Sequence, residues 1–195
     1  KSLIKDKLDG IGRFTFETLK ILCKNHQEHQ FYFLFDRTYP KEFEHINNIT
    51  PIILRPHATG PISWRFWFEF QVPRFIKKID ADLFISADGF LSLKVDIPQH
   101  LIIHDISFFH NPQDFSKKHQ RYIKSIFSQF PEKASRIATV SEYSRNDISK
   151  TFGIPLEKID VVYNGISPLF NPLSDAEKTI IQTRYTDGCD YFVYV

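Results

Sequence analysis

Methionine is missing altogether from these 195 residues, and cysteine occurs only twice. Cys23 and Cys189 lie far apart and have no metal-ligand spacing, so neither a zinc-type cysteine motif nor a disulfide framework is expected. They read as free thiols of a reducing compartment. No run of roughly eighteen apolar residues occurs, which removes a spanning helix from consideration. Neither charge sign is in excess: 25 basic against 23 acidic residues leave a formal +2, too little to argue for nucleic acid. There is no internal repeat and no low-complexity segment. What is present is 42% hydrophobic residues, with 20 phenylalanines, and 25% charged residues. That suffices for one full-sized core, not a second, and argues against disorder.

The segment from Ala134 to Gly165 is the most informative. Ile137, Ala138 and Val140 form a short apolar run bounded by charge, as a strand buried on both faces should. Ser141 stands where a helix begins, an N-cap whose hydroxyl can satisfy a first-turn amide, and Glu142 complements the helix dipole. Gly153 ends the helix and Pro155 stops it from resuming. Ile159, Val161 and Val162 make a second strand, which ends at Asn164-Gly165. This is half of a doubly wound sheet, and it puts Ser141, Arg145 and Asn164 near the carboxyl ends of strands, where open α/β sheets bind ligands.

The rest alternates in the same way. A helix is predicted from Ile11 to about Asn25, with Phe14, Leu19 and Leu22 inward. Strands are predicted at Phe31–Phe35, Ile52–Leu54, Leu83–Ser86 and Leu101–His104. Ile62–Ile79 is aromatic-rich and helical, kinked near Pro73. Ser116–Phe130 is a basic amphipathic helix. Strands alternating with helices predict an α/β fold with a parallel, doubly wound sheet. The run Ile62–Lys78 gathers Trp64, Trp67, Arg65, Arg74, Lys77 and Lys78 against a single Glu69. Such a helix either covers the sheet, with its charges snorkelling outward, or lies in an anionic lipid interface through Trp64 and Trp67. The internal placement is the simpler one.

Three places carry chemistry. Gly10-Ile11-Gly12-Arg13 ahead of a helix lets backbone approach a phosphate or sugar, although the same pattern occurs in ordinary turns. Leu101-Ile102-Ile103 delivers His104, followed by Asp105, to the carboxyl end of a strand. A neutral imidazole there can hydrogen-bond a substrate or take a proton, and a strand-end histidine can also simply bond to backbone. His110 reads as loop structure. Asp80-Ala81-Asp82 has the form of a metal-binding carboxylate pair, but it precedes its strand instead of following it, and Asp105 alone offers too few oxygens for a cation.

Four segments in order, GIGRFTFETL (Gly10–Leu19), DLFISADGFLSL (Asp82–Leu93), LIIHDISFFHNP (Leu101–Pro112) and the TVSE helix followed by VVYNG, closely resemble the group-1 family of nucleotide-sugar glycosyltransferases. The resemblance implies a GT-B architecture, two Rossmann-like domains facing each other across a cleft. Residues 1–165 would be the acceptor-side domain, its first strand missing or truncated. Residues 166–195 would be the linker and, at Tyr191–Val195, the first strand of a C-terminal donor-binding domain. It implies that the full protein transfers a hexose from a nucleoside-diphosphate sugar to a glycan or lipid-linked acceptor, with retention at the anomeric carbon and without metal or cofactor. The 195 residues alone would be inactive. Gly10, Gly12 and Arg13 would lie under the donor diphosphate. His104 would contact the donor sugar, with Asp105 orienting the loop or the imidazole, and Ser141, Arg145 and Asn164 would be secondary binding residues. The family's usual business places such an enzyme in the cytoplasm, at the inner face of the membrane, in polysaccharide or lipopolysaccharide assembly. A noncatalytic sugar-binding scaffold and a nucleotide-sugar epimerase are the alternatives on the same fold.

Overall fold

Helix α1 (Gly10–Asn25) begins where the Asp9 carboxylate turns back to accept the Gly12 amide at 2.8 Å. In the computed structural model, residues 3, 8–39, 41, 43, 46–114, 117, 120, 125–166 and 170–193 are described. They fall into two units, Lys1–Tyr163 and Asn164–Val195.

In the first unit α1 leads into β1 (Phe31–Phe35), which pairs in parallel with β2 (Ile49–Ile53). Helix α2 (Pro61–Phe66) continues through a wide π-type stretch, Trp67–Gln71, into α3 (Val72–Ile79). A second parallel sheet follows, built from β3 (Phe84–Ser86), β4 (Gln99–Ile102), β5 (Arg136–Thr139) and β6 (Ile159–Val161) in spatial order β3-β4-β5-β6. Between these strands lie α4 (Ser107–His110), α5 (Phe130–Lys133) and α6 (Glu142–Phe152). Parallel pairing throughout requires such crossovers, and the architecture is the expected doubly wound one. Its sheet is in two pieces. Between β1 and β3, with Thr15 and Leu19 of α1 on one side, lies a cavity of about 700 Å³.

Fully buried Leu101, Ile137 and Ile159 line up on three neighbouring strands and pack with Ile148 of α6, which is the main core. A second cluster joins Cys23 of α1 to Phe33, Phe35 and Ile49. Both cysteines are free, and burial pushes the Cys23 thiol up to about 11, so it is unreactive at neutral pH.

Most of the predicted elements exist among the described residues, some with shifted bounds. The second strand starts at Ile49 and takes Pro51 inside it, which an edge strand tolerates because it lacks a partner on one side. The strand expected at Leu101–His104 ends at Ile102; its last ladder bond runs from the Ile103 amide to the Ala138 carbonyl. Near Pro73, where a break or kink is expected, the helix runs on but changes type. Pro73 has no N–H and its ring crowds the carbonyl four residues back, and the chain answers one turn earlier: the Val72 amide reaches the Trp67 carbonyl, widening the turn. Of the basic helix expected at Ser116–Phe130, about half lies outside the described residues; Lys117, Gln120, Ser125 and Ile126 are helical, and the end is a 3₁₀ turn, Phe127–Gln129, running into α5.

Placement of the tryptophans corrects one expectation. Trp67 is buried and its indole N–H donates to the Leu54 carbonyl at 2.8 Å. The Trp64 indole N–H donates to the Ala58 carbonyl, and its ring meets Phe90 at 4.4 Å. Both indoles turn inward because each needs an acceptor for its N–H and the sheet side supplies one. Turned inward, Trp67 is closed to lipid, and Trp64 is half-buried against Phe90.

Asp36, at the carboxyl end of β1, is 6% exposed and forks onto Arg37 at 3.1 and 2.8 Å while accepting the Ala58 amide at 2.9 Å. Burial alone would raise its pKa, but the Arg37 guanidinium and the amide outweigh it and hold the carboxyl below its ordinary 3.8. Because the folded value is the lower one, the carboxylate stabilises the fold above the unfolded value, and that contribution is lost as pH falls through the depressed one. Asp36→Asn is expected to cost about 1–3 kcal/mol at pH 7 and to flatten the acid limb of a melting-temperature profile; thermal scans from pH 3 to 7 check both.

The second unit holds α7 (Asp175–Thr186), started by a reciprocal cap in which Ser174 and Glu177 bond each other's amides. The strand expected at Tyr191–Val195 is not formed over Tyr191–Val193, which pair with no strand among the described residues; residues 194 and 195 lie outside them. A strand without a neighbour has no ladder to hold it.

Candidate functional site

The carboxyl ends of β3, β4 and β5 and the start of α1 meet around His104. Two residues past β4, its carbonyl is approached by the Thr139 hydroxyl at 3.5 Å, from the end of β5. Its ring stands edge-on to Phe14 of α1, with centroids 5.0 Å apart at 82°. The imidazole Nε2 is buried and has no hydrogen-bond partner among the described residues. Burial lowers the pKa of His104 below its ordinary 6.5, against the opposing pull of the Asp105, Asp88 and Asp9 carboxylates. The ring is therefore neutral at pH 7, with one nitrogen able to accept or donate. A buried polar atom left unbonded costs about 1–3 kcal/mol, which a ligand hydroxyl would recover once the side chains that close off the nitrogen moved aside to admit it.

Asp105 is committed to the loop: its Oδ1 accepts the Ser107 amide at 2.9 Å and the Ser107 hydroxyl at 2.6 Å, starting α4. His110, expected in a loop, ends the short helix α4 and bonds Asp147 of α6 at 2.9 Å, a tie between the two helices. At the glycine loop the Gly12 amide is already taken by Asp9, so an anion arriving there would meet a carboxylate as well as the helix dipole. Gly10 is not required by packing, since a Cβ there would meet nothing within 4 Å. Arg13 is exposed.

Ser141 is the N-cap of α6, its hydroxyl accepting the Ser144 amide at 3.1 Å. Arg145 bonds the Leu156 carbonyl at 3.0 Å and lies 3.4 Å from Glu142, a clamp between α6 and the following turn that leaves its guanidinium little freedom to reach a ligand. Asn164 is exposed and belongs to the second unit.

Asp9, Phe14 and Asp88 are members of this neighbourhood that sequence reasoning did not select. Two had local signals. Asp9 stands where an N-cap should, just before the helix, and Asp88-Gly89 follows the strand Phe84–Ser86 at its carboxyl end, with Gly89 at φ 77°. That loop is set by buried side chains: Glu69 accepts the Leu93 amide at 2.9 Å, and Gln99 bonds both the Ser92 amide and carbonyl, at 3.2 and 2.8 Å. Nothing local marks Phe14 as the neighbour of His104.

The carboxylates around His104 do not converge on a cation position. Among the described residues, only His26, Glu28 and His29 group three such donors, exposed and past the opposite end of α1. Asp80 is the left-handed cap of α3, φ 52°, and Asp82 precedes β3, on the side of the strand away from His104. The 700 Å³ cavity is walled by β1 and β3 and does not include His104.

Residues 8–168 match the family described as Glycosyltransferase Family 4. Two curated relatives are O-antigen chain mannosyltransferase B of Escherichia coli, 32% identical over 82 residues, and O-antigen chain mannosyltransferase RfbU of Salmonella typhimurium, 30% identical over 69. Those matches cover 42% and 35% of this chain but only 22% and 19% of the relatives, so the matched segments span about a fifth of the relatives' length. Among solved structures, Anabaena Alr3699/HepE, determined in complex with UDP and glucose, superimposes with a TM-score of 0.52 at 16% identity, covering 94% of this chain and 48% of that one. At that identity the likeness speaks for the fold alone.

Proposed function

This chain belongs to Glycosyltransferase Family 4, and on that premise we propose that it is the acceptor-side domain of an enzyme transferring a hexose from a nucleoside-diphosphate sugar to a glycan or lipid-linked acceptor, with retention at the anomeric carbon. The observation that carries the reading is His104: a neutral, half-buried imidazole at the carboxyl end of a central strand, whose Nε2 makes no bond within the described protein. A hydroxyl of the donor sugar is the group that satisfies such a nitrogen, and a hydrogen bond that shortens as charge develops at the anomeric carbon lowers the barrier. The mannosyltransferase names of the curated relatives favour a hexose and O-antigen or related surface-polysaccharide assembly.

The test is transfer of labelled hexose by the protein comprising this chain and its donor-binding half. Transfer to a glycan acceptor supports the reading; nucleotide-sugar binding without transfer would make the domain a noncatalytic scaffold.

The reaction is further proposed to need no metal. The carboxylates that resemble a cation pair, Asp80 and Asp82, lie before β3, and those beside His104 do not converge. Activity is expected to persist in EDTA, and the double variant Asp80→Ala/Asp82→Ala to retain nearly the full rate. Loss on chelation with recovery on adding manganese would overturn this.

A further inference from the structure

The helical segment α2–α3 buries its tryptophans and leaves a different aromatic row outside. Ile62, Phe66 and Phe70, spaced four apart, are 80%, 41% and 53% exposed. The rings of Phe66 and Phe70 stack at 5.3 Å and 21°, so they stand on one side of the segment despite the widened turn. Lys94 caps the row, its Nζ 3.9 Å from the Phe70 centroid.

The charge around this row has one sign. Arg65, Arg74, Lys77 and Lys78 of the same segment are exposed, and so is Lys94 beside it. Glu69, the segment's one acidic residue, is buried and turned in to the Leu93 amide. Three large apolar side chains in water, on a segment whose exposed charges are all cationic, are costly for a folded surface unless something covers them. A protein partner's apolar groove would not by itself call for five cations. An anionic bilayer calls for both features, acyl chains for the rings and headgroup phosphates for the Lys and Arg.

We propose that Ile62, Phe66 and Phe70 dip into the interface of an anionic phospholipid bilayer, with Arg65, Arg74, Lys77, Lys78 and Lys94 on its headgroups. The inference deepens the glycosyltransferase reading, since it would bring the domain to a lipid-linked acceptor, and it is tested without measuring transfer.

The experiment is co-sedimentation of the full chain with vesicles of phosphatidylcholine alone or containing about one-third phosphatidylglycerol. Binding is expected to the anionic vesicles, to fall on raising salt, and to weaken at least about tenfold in Phe66→Ser/Phe70→Ser and in Arg74→Gln/Lys77→Gln/Lys78→Gln. Circular dichroism and melting curves confirm that the variants fold. Unchanged binding in the folded variants, equal binding to neutral vesicles, or none at millimolar lipid would overturn the proposal. So would a dimer by light scattering that Phe66→Ser/Phe70→Ser dissociates while neither protein sediments, because a second copy would then be the cover. If lipid binding fails while hexose transfer to a soluble glycan persists, only this inference falls; if transfer fails while lipid binding persists, only the glycosyltransferase reading does.

Discussion

Replacing His104 with alanine in the full enzyme is expected to lower turnover by about 10²-fold or more, the scale of losing one oriented polar group in a transition state. The fold is expected to survive. The ring is half-buried, its Nε2 bonds nothing among the described residues, and its removal relieves a buried unbonded nitrogen while forfeiting the edge-on contact with Phe14. Stability therefore moves little while rate moves much. His104→Gln, which keeps a hydrogen-bonding end on a longer side chain, should recover part of the loss. The pH profile carries a second signature. Burial keeps the imidazole neutral to below the ordinary 6.5, so the acid limb assigned to His104 should lie below that value. Steady-state rates from pH 5 to 8 on the wild type and both variants, with melting curves alongside, check this. An unchanged rate at a normal melting temperature would leave His104 a strand-end histidine with no part in the reaction.

The second large effect is on stability. Trp67→Ala is expected to destabilise the domain by about 3–5 kcal/mol, the range for truncating a large buried aromatic. Trp67 is 7% exposed, packs in one cluster with Val72, Ile76 and Val95, and donates its indole N–H to Leu54 across the layer between helix and sheet. Its loss removes packing and leaves the Leu54 carbonyl short of that donor. Phe70→Ser, one turn away, should cost much less, because Phe70 is 53% exposed and loses little burial. Denaturant unfolding of the two variants against the wild type measures the difference. Equal costs would mean that the two rings are equally buried and would return the tryptophans to the surface. Together with the vesicle assay, the pair separates the residues that hold the helix from those it presents.

Whatever depends on neighbours in the chain was legible without coordinates. The cap at Ser141, the stop at Gly153, the strand at Phe31–Phe35 and the alternation of strands with helices all follow from local rules, where a side chain meets its own backbone within a turn or two. The same rules put His104 just past the end of a buried strand. Resemblance of four ordered segments to the group-1 glycosyltransferases carried the fold and the family beyond that.

What the tertiary structure alone decided is where long-range partners lie. Trp64 and Trp67 sit in a run that reads more simply as an inward helix but also fits a lipid-facing one; carbonyls at Ala58 and Leu54, contributed by other segments, settle which way the indoles turn. Arg145 is near a strand's carboxyl end in the sequence, but only the coordinates show the Leu156 carbonyl that it bonds, and of the two roles open to Asp105 they show the loop, through the Ser107 amide and hydroxyl on its Oδ1. Phe14 becomes the neighbour of His104 only when α1 packs beside the end of β4. A sequence records what each residue can do and how its nearest neighbours constrain it. Which of several satisfiable partners a polar or aromatic side chain takes depends on the packing of segments distant in the chain, and there burial and unmet hydrogen bonds make the choice.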